Sequence, residues 1–268
     1  MADLPALSNA ALALDGRVAT LTFQRDDMRN ALTGTEIAVD IVTTLNWANT
    51  CADVSVLIMT GEGSAFSAGG NIKTMSARAK ESPHVLAQYY KYGVQKIPLA
   101  MQAVEIPVIA AINGPAIGAG FDLANMCDIR IGSTNAQFGE TFANLGLIAG
   151  DGGGWFLQRM VGYQRAAELT FSGRIVKAEE ALSLGILLEV TEPDALVARA
   201  QAMAAKMATK PPLALRYSKR LLRLAQQQGL QEHLDTCSSY QAICQKSDDH
   251  QEALAAFFEK RSGVFKGR

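Results

Sequence analysis

Three carboxylates stand within or beside glycine-rich stretches of the sequence, where they are suited to proton transfer. Asp122 directly follows the stretch at residues 118–120, Asp151 lies within residues 150–154, and Glu140 follows a further glycine. A carboxylate next to a group that stabilises an oxyanion can move a proton at a carbon beside a carbonyl. From these residues alone, ordinary roles are favoured: Asp122 as an acid in the first turn of a helix and Asp151 as a turn residue.

Two glycine-rich loops, at residues 60–71 and 113–120, have the composition of an oxyanion-binding site. Each follows an apolar run that predicts a buried strand, at residues 54–60 and 107–112, and each is expected to lead into a helix. Such turns leave backbone N–H groups unpaired at the positive end of a helix dipole, and glycine lets a ligand approach the main chain. Two loops side by side can offer two donors to one oxyanion, each worth about 3–4 kcal/mol of barrier. The same composition fits two tight strand–helix connections equally well.

Several other catalytic motifs are missing from the sequence. The stretch at residues 118–120 begins like a dinucleotide fingerprint, but Leu123 stands where the third glycine is needed. There is no Walker lysine motif, no GxSxG nucleophile elbow and no HExxH zinc motif. His84, His233 and His250 lie outside the glycine-rich segments and are interpreted as surface or packing residues. Carboxylates are therefore the remaining candidates for acid–base work.

The composition excludes several classes of protein. The 268 residues are 49% hydrophobic and 19% charged, with 25 Lys and Arg against 26 Asp and Glu and a formal net charge of −1. This balance argues against binding nucleic acid through a basic surface, and the apolar content argues against disorder. No apolar run reaches the roughly 18 residues that a membrane span needs, and the N-terminus lacks a secretory pattern. Four scattered cysteines without a CxxC pair suggest neither a zinc site nor a disulfide framework, so a cytoplasmic protein is expected.

Strands alternate with helices in the first part of the chain, which predicts an α/β fold. An Asp-Gly dipeptide at residues 15–16 favours a hairpin turn, and Thr33 stands three residues before Glu36, the spacing of a capping box at a helix start. Helical periodicity then dominates, which divides the chain into regions 1–194 and 195–268. The expected elements not yet named are hairpin strands at 12–14 and 18–23, helices at 33–49, 85–104 and from 119, and a strand at 128–133.

One basic stripe is expected in the helical region. Arg216, Lys219, Arg220 and Arg223 fall on one helix face at the spacing i, i+3, i+4 and i+7. The net charge of −1 favours a solvated face, or a position near anionic phosphates, over a surface that binds RNA.

Six segments occur together in a recognisable order and spacing: RNAL at 29–32, FSAGGNI at 66–72, PVIAAING at 107–114, GAGFDL at 118–123, CDIR at 127–130 and FFEKR at 257–261. Together they resemble the crotonase (enoyl-CoA hydratase/isomerase) superfamily over nearly the whole chain. The resemblance implies an α/β fold of the crotonase type: a ββα spiral with the acyl-CoA site over residues 1–194, then a C-terminal helical trimerisation region over residues 195–268. It implies an acyl-CoA substrate, coenzyme A only as part of that substrate, no metal, no nucleic acid or membrane partner, and a homotrimer or homohexamer.

The resemblance also implies roles for particular residues. The backbone N–H groups of Gly70 and Ala119 would stabilise the enolate oxygen of the thioester. Hydratases of the superfamily carry two glutamates, but Asp122 stands at the first of these positions and Phe142 at the second. Asp151 lies in the loop where some isomerases and dehalogenases of the superfamily place their working aspartate. The residues expected to contact coenzyme A are Arg29, Ala68, Gly70, Ile72, Phe257 and Lys260.

We therefore favour an isomerase-type proton shuttle in which Asp151 is the principal acid–base group and Asp122 assists, while Phe142 keeps water out. One alternative is a hydratase that uses Asp122 with Asp151 or Glu140. The other is a non-catalytic protein that binds acyl-CoA. The resemblance implies that residues 75–102 line part of the acyl pocket, where the candidate side chains are Tyr89, Tyr90, Tyr92 and Met101. A helix-packing role fits the three tyrosines equally well.

Overall fold

The structure, a computed structural model, describes residues 3–268, so Met1 and Ala2 of the predicted core region lie outside the described residues. In chain order the described strands are β1 (Ala10–Asp15), β2 (Val18–Phe23), β3 (Val56–Gly61), β4 (Val108–Ile112), β5 (Pro115–Ile117), β6 (Ile129–Ser133), β7 (Gln137–Gly139), β8 (Val176–Lys177) and β9 (Glu189–Thr191). The described helices are α1 (Ile37–Thr50), α2 (Ile72–Arg78), α3 (Pro83–Tyr92), α4 (Lys96–Ala103), α5 (Ala119–Met126), α6 (Gly153–Val161), α7 (Tyr163–Ser172), α8 (Ala178–Ser183), α9 (Leu196–Ala208), α10 (Pro212–Leu224), α11 (Leu230–Lys246) and α12 (Asp248–Phe258).

The larger sheet is buried on both faces. Its strand order is β1-β2-β3-β4-β6-β9; β1 and β2 form an antiparallel hairpin, and the other neighbouring pairs are parallel. Alternate side chains of β3 point to different cores: Leu57 and Met59 pack with α1 and α4, whereas Val56 and Ile58 pack against α9. Because β3 and β4 are parallel neighbours, the loops that follow them leave the sheet at the same edge.

A smaller sheet of β5, β7 and β8 continues from that edge. β5 and β7 are parallel, with Ile117 opposite Gly139, and β8 is antiparallel to β7. The segments that follow β5 and β7 therefore start side by side. One of them is helix α5, which carries Asp122, and the other begins with Glu140.

The structure confirms most of the predicted elements of the first part of the chain. The hairpin, the buried strands at residues 54–60, 107–112 and 128–133, and the helix that starts at Ala119 are all present to within two residues. The short strands β5, β7, β8 and β9 were not expected, because each has only two or three residues and no alternation long enough to recognise.

The predicted capping box at Thr33 and Glu36 is wrong. Glu36 precedes α1 but makes no side-chain hydrogen bond there. The Thr33 hydroxyl instead accepts a hydrogen bond from the N–H of Asn71 at 2.8 Å, so it fastens the first glycine-rich loop. The single helix expected over residues 85–104 is two helices, α3 and α4, because Gly93 ends the first with φ −106° and ψ −111°.

The predicted C-terminal region contributes to the core as well as to the surface. Its first helix, α9, covers one face of the larger sheet. Helices α11 and α12 instead expose large apolar side chains, namely Leu230, Leu234, Ile243, Leu254, Phe257 and Phe258. Trimerisation through this region stays a prediction. Among the helices of residues 3–268, none is both long and apolar enough to cross a membrane.

The basic stripe of α10 is not a solvated face, because it docks this helix onto the core. Lys219 donates to the Ile106 carbonyl and pairs with Asp128, both at 2.6 Å. Arg223 donates to two backbone carbonyls at the end of α4, at 2.7 and 2.8 Å. Arg216 donates to backbone carbonyls at the end of α1. Long cationic side chains thus satisfy carbonyls at helix ends that would otherwise be unpaired.

Replacing Lys219→Met should lower the free energy of unfolding by about 2–4 kcal/mol, because it leaves Asp128 and the Ile106 carbonyl without their cation. The Lys219 side chain is 6% exposed. Arg220→Gln is the matched control on the same helix: its side chain is 54% exposed and its guanidinium lies 3.9 Å from Glu105. That change should cost below about 0.5 kcal/mol. Urea denaturation measures both, and equal losses would contradict the docking role of Lys219.

Candidate active site

The two glycine-rich loops are joined by backbone contacts. Ser67 forms a parallel bridge with Ala116, and the N–H of Ile117 donates to the Ser67 carbonyl at 3.0 Å. A Cβ at Gly69, where φ is +74°, would lie 2.8 Å from the Ala119 nitrogen, and a Cβ at Gly120 would clash with the Ser67 carbonyl. Any side chain at these positions would push the loops apart, so their approach depends on glycine.

The N–H groups of Gly70 and Ala119 are free to bind a ligand. Neither donates a hydrogen bond to another group among the described residues. The groups around Gly70 are fixed: Gly69 donates its N–H to the Ser67 hydroxyl at 3.1 Å, and Asn71 donates to Thr33. Ala119 is the first residue of α5, where an unpaired N–H is expected and the helix dipole favours negative charge. Within the described residues, two unpaired N–H groups therefore lie in adjoining loops at the predicted positions, and their role as oxyanion donors stays a prediction.

Next to these loops, three carboxyl groups form a buried cluster. Asp122, Glu140 and Asp151 are all buried, and Asp122 lies within hydrogen-bonding reach of both of the others. The Asp122 carboxyl fills the space that a side chain at Gly153 would need. Both carboxyl oxygens of Asp122 and of Glu140, and Oδ1 of Asp151, have no other hydrogen-bond partner in the described part of the chain.

Register explains why Glu140 joins the cluster, although it is far from Asp122 in sequence. The N–H of Gly118 donates to the Gly139 carbonyl at 2.8 Å, which holds the ends of β5 and β7 together. In the sequence Glu140 is one of three carboxylates beside glycines and an alternative partner in hydration. Glu140 directly follows β7, a short strand parallel to β5. This position is the signal that identifies Glu140, because functional side chains collect at the carboxyl ends of parallel strands.

Burial raises the pKa values of all three carboxyls, and repulsion by neighbouring carboxyls adds to this for Asp122 and Glu140. The pKa of Asp122 lies well above its usual range, first because of burial and then because of Asp151 and Glu140. Burial raises the pKa of Glu140 to about 7 and also raises that of Asp151. A hydrogen bond from protonated Asp122 favours the ionised forms of the other two. The cluster therefore retains at least one proton near neutral pH and contains an acid and a base in contact.

An aromatic ring borders the second oxyanion donor. Phe142 lies in the 3₁₀ turn Thr141–Leu145, and its ring is 3.5 Å from the point where a Gly118 Cβ would stand. The side chain beside Ala119 on this side is thus apolar. It cannot transfer a proton, and it leaves less room for water near the bound carbonyl.

Asp151 borders an apolar cleft of about 420 Å³ between α4 and the start of α6. Its apolar walls include Pro98, Leu99, Ile148, Trp155 and Phe156. Pro98 and Leu99 lie within residues 75–102, where the acyl pocket is expected. The sequence pattern did not predict Ile148, Trp155 and Phe156, although Trp155 and Phe156 follow the glycine run directly.

The residues expected to line the acyl pocket are placed differently. Tyr90 packs against Gly150, next to Asp151. Tyr89 instead lies under the Arg78 guanidinium at 3.6 Å, and Tyr92 is exposed. The expectation for Met101 is wrong, because its side chain is fully buried in the core by apolar neighbours.

The residues expected to contact coenzyme A lie at two surfaces. Ala68 donates its N–H to the Arg29 carbonyl at 2.8 Å, so these two residues adjoin the first glycine-rich loop. Ile72 is 62% exposed at the start of α2. Phe257 is 77% exposed at the end of α12, and Lys260 follows that helix with φ +54°. Their roles stay predictions.

The three histidines lie outside the carboxyl cluster, on α3, α11 and α12. Within the described residues, no group of three or more His, Cys, Asp or Glu side chains is arranged to hold a metal ion.

Comparisons with known proteins agree with this geometry. A family model described as enoyl-CoA hydratase/isomerase matches residues 14–268. The chain is 35% identical over 263 residues to the short-chain-enoyl-CoA hydratase of Clostridium acetobutylicum, which covers 95% of this chain and 96% of the relative. It is 31% identical over 251 residues to 1,2-epoxyphenylacetyl-CoA isomerase of Escherichia coli, which covers 94% and 95%. A crystal structure of an enoyl-CoA hydratase from Bacillus anthracis matches with a TM-score of 0.91 at 30% identity, covering 97% of this chain and 100% of that chain. This structural match confirms the predicted crotonase-type α/β fold.

The raised pKa of Glu140 predicts a pH-dependent gain in stability for Glu140→Gln. Because the folded pKa of about 7 exceeds the usual value of 4.5, the wild-type chain loses stability as pH rises through this window and the variant does not. Relative to wild type, the variant's free energy of unfolding should rise by roughly 2–3 kcal/mol between pH 4.5 and pH 8. Urea denaturation at both pH values measures this difference. Glu81→Gln, at an exposed position, is the control, and its free energy of unfolding should differ from that of wild type by the same amount at both pH values. The same pH-independent difference for Glu140→Gln would contradict the burial of Glu140 among carboxyls.

Proposed function

The chain belongs to the enoyl-CoA hydratase/isomerase family and is an enzyme that acts on CoA thioesters, and on this premise we propose that it moves a carbon–carbon double bond along the acyl chain rather than adding water to it. The observation that carries the proposal is the cluster of three buried carboxyls next to an apolar ring. The cluster can hold and return a proton, whereas Phe142 offers no carboxyl to activate water.

In the proposed reaction the Asp151 carboxylate removes a proton from the α-carbon of a 3-enoyl-CoA. The C–H bonding electrons form a new double bond, and the thioester carbonyl becomes an enolate oxygen that accepts hydrogen bonds from Gly70 and Ala119. The proton then returns to the γ-carbon, and the double bond ends between the α- and β-carbons. No atom is gained or lost, so the product has the mass of the substrate.

Each residue of the site has a distinct part in this reaction. Two preorganised N–H donors each lower the barrier by about 3–4 kcal/mol, because negative charge develops only in the enolate. Asp122 acts as a positioning and assisting group: protonated, it donates to Asp151, and it can relay the proton. Phe142 limits the access of water to the enolate and to the product.

Binding of coenzyme A is proposed to use the residues around the first loop and the end of α12. Ala68 would meet the adenine through its main chain, with Arg29 and Ile72 beside it. Phe257 and Lys260 are exposed in the single chain, which supports contact with coenzyme A of a neighbouring subunit in a homotrimer or homohexamer. The free cysteines of the described chain support a cytoplasmic location.

Hydration is the second candidate, because Glu140 supplies another carboxyl within reach of Asp122. Incubation with 2-enoyl-, 3-enoyl- and 2,4-dienoyl-CoA thioesters separates the candidates. A product of unchanged mass with a shifted ultraviolet absorbance supports the isomerase. A gain in mass of one water would identify a hydratase. Tight binding without exchange of α-protons in heavy water would identify a non-catalytic binding protein.

Asp151→Asn should lower kcat by about 10²–10⁴-fold, because the amide cannot accept the α-proton. Asp122→Asn should cost less, since it removes only the assisting group. Isomerisation rates and α-proton exchange in heavy water measure both effects. Asp53→Asn, in an exposed turn, serves as the control and should keep full activity. Full turnover by Asp151→Asn would refute its assignment as the principal acid–base group.

Phe142→Ala should allow the enzyme to add water to part of its product. Loss of the ring opens space beside Gly118, so a fraction of the product should carry the mass of one added water while isomerisation slows. Mass spectrometry of the products checks this expectation. Phe171→Ala removes a ring that is largely exposed on α7 and should leave the products unchanged. Water-free product from the folded Phe142→Ala variant would count against the role of the ring.

A further inference from the structure

A positively charged recess lies at the C-terminal end of α5, between α6 and α10. It has a volume of about 340 Å³. Four cationic side chains face one carboxylate there: the cations are Arg130, Arg159, Lys219 and Arg223, and the carboxylate is Asp128.

The single carboxylate does not neutralise these cations. Asp128 pairs with Lys219 at 2.6 Å and lies 3.7 Å from Arg223, so two cations share it. Arg130 donates to the backbone carbonyls of Cys127 and Ile186, and Arg159 donates to the carbonyl of Trp155. Backbone carbonyls satisfy some donors but carry no net charge. The recess therefore has an excess of positive charge that an anion would balance.

An unpaired amide in the wall of the recess also points to a ligand. Asn125 is 7% exposed, and neither its Oδ1 nor its Nδ2 has a hydrogen-bond partner within the described residues. Buried polar groups without partners are unfavourable and rare in folded proteins. The amide atoms are enclosed in the structure, and a rotation of the side chain would turn them into the recess, where a polar group could pair with them and an apolar ligand could not.

The recess adjoins the cleft beside Asp151. Gln102, Trp155 and Phe156 line both cavities. Along α5, Asn125 lies one turn beyond Asp122, a rise of about 4.5 Å. Along α6, the Arg159 backbone lies about 9 Å beyond Gly153, which packs against the Asp122 carboxyl. An acyl chain that starts at the carboxyl cluster can thus follow an apolar wall and end among cations.

We propose that the substrate's acyl group ends in a carboxylate, which binds in this recess. The proposal rests on the proposed function, because it takes the carboxyl cluster as the place where the reacting carbons lie. Charge selects the anion, the Asn125 amide supplies a hydrogen bond, and the cleft between them accommodates the apolar middle of the chain. A free inorganic anion such as phosphate has the same chemistry as the terminal group, so the experiment must separate the two.

The experiment compares matched pairs of enoyl-CoA thioesters of several chain lengths, with and without a terminal carboxylate. At the best length, kcat/KM for the carboxylated substrate should exceed that of its neutral partner by at least tenfold. Arg159→Gln should reduce this preference at least tenfold, mainly through KM. Asn125→Leu, which replaces the unpaired amide by a side chain of similar size, should also reduce it. Arg165→Gln on the neighbouring helix removes an exposed charge outside the recess and should leave the preference unchanged.

The outcomes separate this proposal from the proposed function. Isomerisation of both substrates without preference, or equal losses for both in the variants, overturns the carboxylate assignment and leaves the isomerase standing. Inhibition by inorganic phosphate that Arg159→Gln relieves, without any substrate preference, identifies a separate anion site and also overturns it. Water addition to the carboxylated substrate, with the preference intact, refutes the isomerase and keeps the recess assignment.

Discussion

The close approach of two backbone loops is the constraint on which the site depends. The Ser67–Ala116 bridge joins the loop after β3 to strand β5, and a Cβ at Gly69 or Gly120 would prevent that contact. The large sheet makes the approach possible, because β3 and β4 are buried, parallel and fixed in register. As a result, two N–H groups that donate to no other group among residues 3–268 lie in adjoining loops. A loop that moved by an ångström would separate them and lose most of their joint effect on an oxyanion.

Keeping three carboxyls out of water costs free energy, and the fold offsets that cost elsewhere. Buried like charges cannot all ionise, so the cluster of Asp122, Glu140 and Asp151 stays partly protonated, and a protonated member can donate to a neighbouring carboxylate. The surrounding core is apolar and tightly packed, with Phe121 and Phe138 in contact on the neighbouring elements. The same burial raises the pKa of Glu140 to about 7, and a pKa close to the working pH favours proton transfer in both directions.

Much of this could be predicted from sequence because it depends on local pattern. Apolar runs predicted β3 and β4, and the glycine and alanine after them predicted two loops that could bind an oxyanion. The individual donors, Gly70 and Ala119, are implied only by the resemblance to the crotonase superfamily. The inclusion of Glu140 could not be predicted in this way, since it depends on the pairing of two strands of three residues each. The role of Thr33 was misjudged for a related reason: its hydroxyl bonds Asn71, which is 38 residues away, and the local capping pattern carries no information about that contact. The stripe on α10 had correct spacing, but only the tertiary structure shows that its cations bind carbonyls of the core.

Helix α5 connects the two ends of the candidate substrate site. Its first residue is Ala119, its first turn carries Asp122, and its last turn carries Asn125, which lines the charged recess. All of its residues are buried, so the helix has little freedom to shift one of these groups without the others. The spacing between the bound carbonyl, the proton shuttle and the recess is therefore set by one rigid element. A substrate with a charged end fits only when its chain length matches that spacing, so the rigidity of α5 would turn charge recognition into selection for length as well.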